Sequence, residues 1–222
     1  MEKRKIIFNY YDTAVHGWTL TGWTLSPAEQ KTKYLEKPNG DGSWDLSTVL
    51  TDGVLRYKDR TLKVTLECSE GTRMEREKLI RDLINELDGV KATIHLPDDE
   101  THFLTGRLHI VREYNDLAHA AVTVEAVCEP WKYAIDATVV TLTATAANQI
   151  ITLTNSGRRA VVPQISVTGG TVLLGYGTAR KEVPSSVGTC QWPELLLTTG
   201  EHAVKYSGTG TIMFWYREAV LE

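Results

Sequence analysis

Residues 61–89 of this chain read TLKVTLECSEGTRMEREKLIRDLINELDG, and the hydrophobic period changes partway along the stretch. In its first eight residues apolar side chains stand at every second position, which is the period of a strand with one solvent-exposed face. These apolar positions are Leu62, Val64, Leu66 and Cys68. From position 72 onward the period becomes helical. The stretch therefore predicts a β-strand followed by a helix.

The predicted helix has signals at both of its ends. Thr72 can cap the first turn, and Glu75, three residues later, completes a capping box. Gly89 is expected to end the helix. Between them an apolar stripe recurs at helical spacing, formed by Leu79, Ile80, Leu83, Ile84 and Leu87. Because such a stripe needs an apolar partner, we expect the helix to lie on a sheet.

The sequence around this stretch predicts further strands. Residues 121–128 repeat the alternation, and residues 90–96 and 102–114 predict two more strands of an antiparallel meander. The turn Pro97–Glu100 contains three carboxylates, which we expect to be solvated and unpaired. The first part of the chain is therefore predicted to be β-structure with one helix.

The composition changes after Lys132. Up to that residue the chain has 18 basic and 22 acidic residues, whereas the remainder has 6 of each. The remainder consists of short Thr, Val, Ile and Leu runs with turn signals every ~8–12 residues, which is typical of a β-sandwich of jelly-roll or galectin-like topology. We predict a mainly β protein: an N-terminal β-sandwich-like domain with one α-helix (residues 1–133), then a galectin-like/jelly-roll β-sandwich domain (residues 134–222).

Composition also argues against several classes of protein. The net charge of −4 disfavours a nucleic-acid partner. No apolar stretch approaches the ~20 residues that span a bilayer, so no membrane insertion is expected. The first residues lack the apolar core of a signal peptide, and we expect synthesis in a cytoplasm. Cys68, Cys128 and Cys190 are therefore expected to be buried free thiols.

We find no constellation of residues that indicates catalysis. No histidine pair has the spacing of a helical zinc site, and there is no Cys-x-x-Cys. Three histidines lie on predicted neighbouring strands: His95, His102 and His109. A cross-strand metal site is one interpretation, and side chains that face solvent or an interface are the favoured one. The Gly208–Thr211 segment looks superficially like a phosphate-binding loop, but such a loop needs a helix after it. Since no helix follows, the segment is interpreted as a hairpin turn. The prediction is a protein with no catalytic, cofactor or metal site.

The tryptophans suggest two kinds of contact surface. Trp18 and Trp23 are placed in two early strands as a possible ring interface between subunits, with core packing as the alternative. Trp192 and Trp215 belong to the second domain, where exposed aromatic rings can stack on a saccharide or contact a partner. Alternation in the last strand requires that Trp215 or the residue before it faces outward.

Short motifs follow one another along nearly the whole chain. Those of the first domain are Gly40-Asp41-Gly42-Ser43-Trp44-Asp45, Tyr57-Lys58-Asp59-Arg60, Leu87-Asp88-Gly89, Pro97-Asp98-Asp99, Gly106-Arg107 and Cys128-Glu129-Pro130-Trp131-Lys132-Tyr133. Those of the second are Asn155-Ser156-Gly157, Pro163-Gln164-Ile165 and the glycine-rich, aromatic end Gly200–Tyr216. In this order they resemble the phage distal tail (Dit) family, the siphovirus tail component proteins, with a galectin-like C-terminal domain.

The resemblance implies a structural, non-enzymatic component of a phage or prophage tail tip or baseplate. The first domain would form a hexameric ring that links the tail tube protein to tail-associated hub or fibre proteins. The second domain would project outward as a docking platform or bind host saccharides. A carbohydrate-binding module in host-surface recognition is the alternative function. A β-sandwich enzyme that cleaves glycans is a third hypothesis, for which we expect no turnover.

Overall fold

The structure, a computed structural model, describes residues 4–51 and 53–222. The chain divides into two compact units, Met1–Lys132 and Tyr133–Glu222. The elements of the first unit are β1 (Ile7–Phe8), β2 (Tyr11–Asp12), β3 (Thr19–Leu25), β4 (Tyr34–Glu36), β5 (Ser43–Asp45), β6 (Arg60–Cys68), α1 (Arg73–Leu87), β7 (Lys91–His95), β8 (His102–Asn115) and β9 (Ala120–Cys128).

The first unit is built on an antiparallel sheet with the strand order β2-β1-β7-β8-β9-β6-β3. The helix α1 packs on β8 and β9. The predicted alternation in β6 is confirmed, because Leu62, Val64, Leu66 and Cys68 are all buried in the core between sheet and helix. On the opposite, solvent-facing side of the sheet, Lys63 of β6 lies opposite Glu125 of β9. Its Nζ lies 3.4 Å from the Glu125 Oε1, so the two form an ion pair.

The predicted helix and both of its end signals are confirmed. The Thr72 hydroxyl accepts a hydrogen bond from the Glu75 N–H, and the Glu75 carboxylate accepts one from the Thr72 N–H. Gly89 has φ +75, and its N–H donates to the Leu108 carbonyl of β8 at 2.9 Å. In the part of the chain that the structure describes, no helix has the length and apolarity to cross a membrane.

One residue of the helix breaks the simple pattern of an apolar inner face. Arg76 is 2% exposed, and its guanidinium donates to the Gly71, Asp116 and Leu117 carbonyls. These bonds tie the turn between β8 and β9 to the first turn of α1. A buried charge is tolerated here because backbone carbonyls replace its hydration.

The expectation of two Trp-containing strands is wrong. Trp18 precedes β3, and β3 contains Trp23. The chain between Thr13 and Gly17 forms a turn instead, in which the Trp18 N–H donates to the Thr13 carbonyl and Gly17 takes φ +82. The turn directs the Trp18 ring into the core, where it is fully buried.

The segment of residues 27–59, which we call the arm, leaves the sheet between β3 and β6. It contains the two-stranded hairpin β4–β5, in which Leu35 lies opposite Trp44. No residue at the described positions of the arm, 27–51 and 53–59, is buried. The arm therefore has no core of its own.

The second unit is an antiparallel β-structure with one short 3₁₀ turn, Ser185–Val187. Its strands are β10 (Lys132–Ala134), which begins on the last residue of the first unit, β11 (Thr138–Ala144), β12 (Gln149–Asn155), β13 (Gln164–Thr168), β14 (Thr171–Tyr176), β15 (Ala179–Pro184), β16 (Thr189–Gln191), β17 (Gly200–Gly208), β18 (Gly210–Tyr216) and β19 (Ala219–Val220).

Eight of these strands form two four-stranded sheets, ordered β11-β18-β13-β16 and β12-β17-β14-β15. Both sheets contribute side chains to one core. The first sheet supplies Phe214 and Ile165, and the second supplies Val204 and Leu174. Eight strands in two sheets, with the chain repeatedly crossing between them, form a jelly roll. The predicted fold class, mainly β with one α-helix and with a β-sandwich in the second unit, is confirmed.

The interpretation of residues 208–211 as a hairpin turn is wrong. Thr209 connects β17 to β18, and these two strands belong to different sheets. Gly208 and Gly210, with φ +131 and +102, allow the chain to turn sharply enough to cross between the sheets. A Cβ at Gly210 would lie 2.4 Å from the Thr168 carbonyl oxygen, so glycine is also required by space.

Candidate functional site

The arm exposes an unusual number of large apolar side chains. Leu50 is 92% exposed, and Leu35 and Trp44, which face each other across the hairpin, are 53% and 48% exposed. The full set is Tyr34, Leu35, Trp44, Val49, Leu50, Val54 and Leu55. A two-stranded hairpin is marginally stable by itself, and apolar surface of this extent usually marks a contact with another molecule.

The base of the arm is anchored by the residues of the Tyr57–Arg60 motif. Arg60 is buried, and its Nε–H donates to the Ser26 carbonyl at 2.7 Å. The Ser26 hydroxyl accepts from the Thr61 N–H at 2.8 Å, so the outgoing and returning chains are joined. The Tyr57 ring lies edge-on to Trp131, with 5.3 Å between the centroids. The motif thus fixes where the arm leaves the body of the unit.

Two further motifs meet at the end of α1. The Asp88 carboxylate accepts from the Ile110 N–H at 2.8 Å and contacts His109 at 3.1 Å. The Arg107 guanidinium donates to the Gly89 carbonyl. The Leu87-Asp88-Gly89 and Gly106-Arg107 motifs therefore form one junction between helix and sheet, and their role in the first unit is structural.

The expectation that the acidic turn is unpaired is wrong for one of its carboxylates. Asp99 accepts hydrogen bonds from the Lys132 ammonium at 3.0 Å and from the backbone N–H groups of Thr101 and His102. Burial alone raises the pKa of Asp99. The hydrogen bond from Lys132, its positive charge and the hydrogen bonds from Thr101 outweigh burial and lower the pKa to about 2. The side chains of Asp99 and Lys132 are each 16% exposed, so the pair is shielded from solvent.

The two tryptophans of the first unit occupy different positions. Trp18 is 0% exposed and belongs to the core, where it packs with residues of the sheet and helix. Trp23 is half-buried on β3, the end strand of the sheet, and lies opposite Val64 of β6. Of the two rings, Trp23 is the one with surface to offer to a neighbouring molecule.

The two tryptophans of the second unit differ in the same way. Trp192 is 3% exposed and belongs to the sandwich core. Trp215 is half-buried on β18, and the Arg217 guanidinium lies 5.9 Å from its ring centroid. Beside Trp215 is a shallow depression of about 220 Å³, lined by Gln164, Ser166, Thr189, Met213 and Trp215.

The strand register explains why these side chains share one face. Trp215 lies opposite Val139 of β11 and Gln164 of β13. Met213 lies opposite Ser166, which in turn lies opposite Thr189 of β16. Phe214, between the two outward residues, is buried. The sheet therefore presents an aromatic ring and a thioether beside amide and hydroxyl groups, with no charged side chain lining the depression.

The remaining candidate groups have other partners. His109 contacts Asp88, His102 contacts Asp99, and the His95 ring lies 5.8 Å from that of Phe103. Within the described ranges, no three potential ligands lie close enough together to hold a metal ion. All three cysteines are free thiols, and burial raises the pKa of Cys128 to about 12. Cys68 is buried as expected, whereas Cys190 is partly exposed.

Sequence reasoning missed the apolar residues of the arm. The Gly40–Asp45 segment is recognised there as a motif, but the residues that flank it are given no role. The signal was present: residues 27–59 contain the apolar pairs Tyr34-Leu35, Val49-Leu50 and Val54-Leu55 among polar residues, with neither a strand nor a helix period. Apolar residues without a period cannot form one inward face, so they remain exposed in the single chain.

No protein-family model matches this sequence, and no curated protein sequence matches it. Among solved structures, the crystal structure of the SPP1 Dit protein has a similar fold. That protein is described as a paradigm of the hub adsorption apparatus in phages that infect Gram-positive bacteria. The similarity has a TM-score of 0.67 and covers 96% of this chain and 98% of that chain, with 15% sequence identity. At this level of identity the likeness concerns the fold.

Proposed function

We propose that this chain is a structural subunit of a phage tail tip or baseplate, a distal tail protein without enzymatic activity. The observation that carries the proposal is the similarity in fold to the SPP1 Dit protein, because it covers both units from end to end. An accidental likeness of one common β-sandwich would cover half of the chain. In this proposal the protein is located at the tail tip of a virion. It is encoded by a phage or prophage and synthesised in the host cytoplasm.

In this proposal the first unit, residues 1–133 in the sequence-based division, is the ring-forming domain. Six copies form a closed ring between the tail tube protein and tail-associated hub or fibre proteins. Ring closure requires a heterologous interface, in which one surface of a subunit contacts a different surface of the next. The arm is suited to this role, since it extends from an anchored base and has apolar residues that its own chain does not cover.

The edge of the sheet offers a second contact surface. β3 is the end strand, and natural proteins cover or pair such edges. Trp23 lies on this strand with part of its ring exposed. We assign Trp23 to the candidate ring interface and Trp18 to the core that supports the same strand.

The role of the arm is tested by sedimentation velocity at several concentrations. Leu50→Asp combined with Leu55→Asp is expected to weaken self-association by roughly tenfold or more, because both leucines would place a charge in an apolar interface. Leu117→Asp is the matched control. Leu117 is 91% exposed against 92% for Leu50, and it lies outside the arm in the turn between β8 and β9. Equal association of the arm variant and wild type would contradict an assembly role for the arm.

A second function is favoured by the depression beside Trp215. Sugar rings present apolar C–H faces to aromatic side chains and hydroxyl groups to amides, and both kinds of group line this surface. In the proposal, the second unit is a galectin-like domain that binds a neutral host saccharide there. Trp192, which is buried, supports the sandwich and does not contact the sugar.

Binding to a broad glycan array tests this second function. Trp215→Ala is expected to abolish the signal for any neutral glycan that the wild type binds, whereas Trp44→Ala, which removes an exposed tryptophan of the arm, leaves the signal unchanged. Trp192→Ala is expected to lower the stability of the second unit instead. The saccharide function is rejected if Trp215→Ala binds the same neutral glycans with the same affinity as wild type.

A further inference from the structure

The opposite sheet of the second unit carries a second depression, of about 330 Å³. It lies on the outer face of β12-β17-β14-β15, away from Trp215. It is lined by Asn148, Ile150, Leu173, Leu174, Gly175, Arg180, Lys205, Tyr206 and Ser207. Two of these residues are cationic and none is acidic, although the residues after Lys132 contain equal numbers of basic and acidic residues.

The strand register creates this depression. Gly175 of β14 lies between Lys205 of β17 and Arg180 of β15 in a single row across the sheet. Because neighbouring strands are about 4.8 Å apart, the backbones of the two cationic residues stand about 10 Å apart. The missing side chain at Gly175 leaves a hollow between them. Ile150, opposite Lys205, continues the row on β12.

The Arg180 guanidinium is held over this hollow. A Cβ at Gly175 would lie 2.9 Å from Nη1 of Arg180, so the guanidinium occupies the space that a side chain would take. Nη1 donates to the Ala179 carbonyl at 2.8 Å and to the Gly177 carbonyl at 3.2 Å. These bonds orient the group and leave the hydrogens on Nε and Nη2 for a ligand.

We propose that this depression binds an oxyanion, a phosphate or a carboxylate, carried on a carbohydrate or polyol chain. A planar guanidinium can bind two oxygens of such a group at once, and the Lys205 ammonium adds a second positive charge. Asn148 and Ser207 supply hydrogen-bonding groups, and Ile150 and Leu173, which are 63% and 46% exposed, form apolar walls for C–H groups. The volume lies at the lower end of the range for small-ligand sites, roughly 300–1,000 Å³.

Isothermal titration calorimetry of the full chain tests this site. The probes are inorganic phosphate, glycerol 3-phosphate and galacturonate, with glucose as the neutral control. We expect saturable binding of an anionic probe, one per chain, and no binding of glucose. Tighter binding of glycerol 3-phosphate than of galacturonate identifies a polyol phosphate as the ligand, and the reverse order identifies an acidic saccharide. Absence of saturable binding by all three anions overturns the proposal.

Variants separate a built site from general attraction of anions. Arg180→Gln and Lys205→Gln are each expected to weaken binding by roughly tenfold, whereas Arg158→Gln, an exposed arginine outside the depression, leaves it unchanged. Gly175→Val takes the space that the Arg180 guanidinium occupies and displaces it without changing any charge, so it is expected to abolish binding. Gly175→Ser, a smaller replacement, is expected to weaken binding, and the thermal unfolding of both variants is measured in parallel. Equal weakening by Arg158→Gln, or full binding by a folded Gly175→Val, overturns the proposal.

This inference is independent of the saccharide face proposed above. Trp215→Ala is expected to leave anion binding unchanged, because Trp215 lies on the other sheet. Arg180→Gln is expected to leave any neutral-glycan signal unchanged for the same reason. Loss of anion binding in Trp215→Ala would contradict the existence of a separate anion site.

Discussion

Asn155 is buried at the end of β12 and makes three hydrogen bonds through one side chain. Its amide donates to the Arg159 and Leu197 carbonyls, both at 2.9 Å, and its oxygen accepts from the Gly157 N–H at 3.0 Å. A Cβ at Gly157 would lie 2.7 Å from the Ala219 backbone, so glycine is needed at that position. The Asn-x-Gly motif therefore has a structural reason in this chain: it closes the loop onto two neighbouring segments.

Asn155→Ala is expected to destabilise the second unit by about 2–4 kcal/mol, because it removes all three hydrogen bonds of a buried polar side chain. Urea unfolding, followed by tryptophan fluorescence, measures the difference. Asn148→Ala, at an exposed asparagine before the same strand, is the control and is expected to change stability by less than about 0.5 kcal/mol. A similar small change for Asn155→Ala would contradict the structural role of the motif.

Asp99 gives the stability of the first unit a dependence on pH. Its pKa is about 2 in the folded chain against an ordinary value of 3.8, so the folded state favours the ionised form. A carboxyl group with a lowered pKa stabilises the folded chain at pH values above its pKa in the unfolded chain. This contribution, about 2 kcal/mol, is lost as the pH falls through 3.8 toward 2. We expect Asp99→Asn to be less stable than wild type by that amount at pH 7.

The measurement is urea unfolding of wild type and Asp99→Asn between pH 7 and pH 2. The difference in unfolding free energy is expected to shrink as the pH falls and to vanish near pH 2. Asp98→Asn, at the exposed neighbour, is the matched control and is expected to show little difference at any pH. A constant difference across the pH range would mean that Asp99 acts through packing and not through its charge.

The tryptophans mark the limit of residue-scale prediction. Alternation in β18 indicates that Trp215 or Phe214 faces outward, and the structure places Trp215 outward. No period surrounds Trp18 or Trp192, because both stand outside regular strands. Their burial depends on turns, such as the one from Thr13 to Gly17, whose direction is set by tertiary contacts.

At the scale of elements, β8 and β9 approach each other closely where Gly106 lies opposite Cys128. A Cβ at Gly106 would be 2.7 Å from the Cys128 sulfur and 3.0 Å from the Val127 carbonyl oxygen. Gly106→Ala is therefore expected to destabilise the first unit by about 1–3 kcal/mol through overpacking. Chemical denaturation provides the measurement.

A double-mutant cycle identifies the cause of this destabilisation. Cys128→Ala removes the sulfur, so Gly106→Ala is expected to cost less in the Cys128→Ala background. Gly22→Ala is the control, since Gly22 is also in a strand and a Cβ there would meet nothing within 4 Å. Identical costs of Gly106→Ala in both backgrounds would exclude the sulfur contact as the cause.

Elements with a clear period were predictable, and connections were less so. The helix followed from an apolar stripe and a capping box, which are local signals. The crossing at Gly208–Gly210 did not follow, because a glycine pair between two strands has the same local pattern in a hairpin and in a passage between sheets. The arm did not follow either, since an extended segment without a core has no hydrophobic period.

At the scale of the whole molecule, the order of motifs and the fold similarity lead to the same proposal by separate routes. The motifs of the first unit contact one another, as at Asp99 with Lys132 and at Gly89 with Arg107, which explains why they occur together in the sequence. The exposed apolar residues of the arm could not be read from a hydrophobic period, because they have no internal packing to satisfy.

Electron microscopy of the purified full-length chain tests the central claim, that the first unit assembles into a ring, most directly. The account predicts class averages of a closed ring with six-fold symmetry, and loss of the ring in Leu50→Asp combined with Leu55→Asp. Single 24.8 kDa particles at every concentration would contradict it.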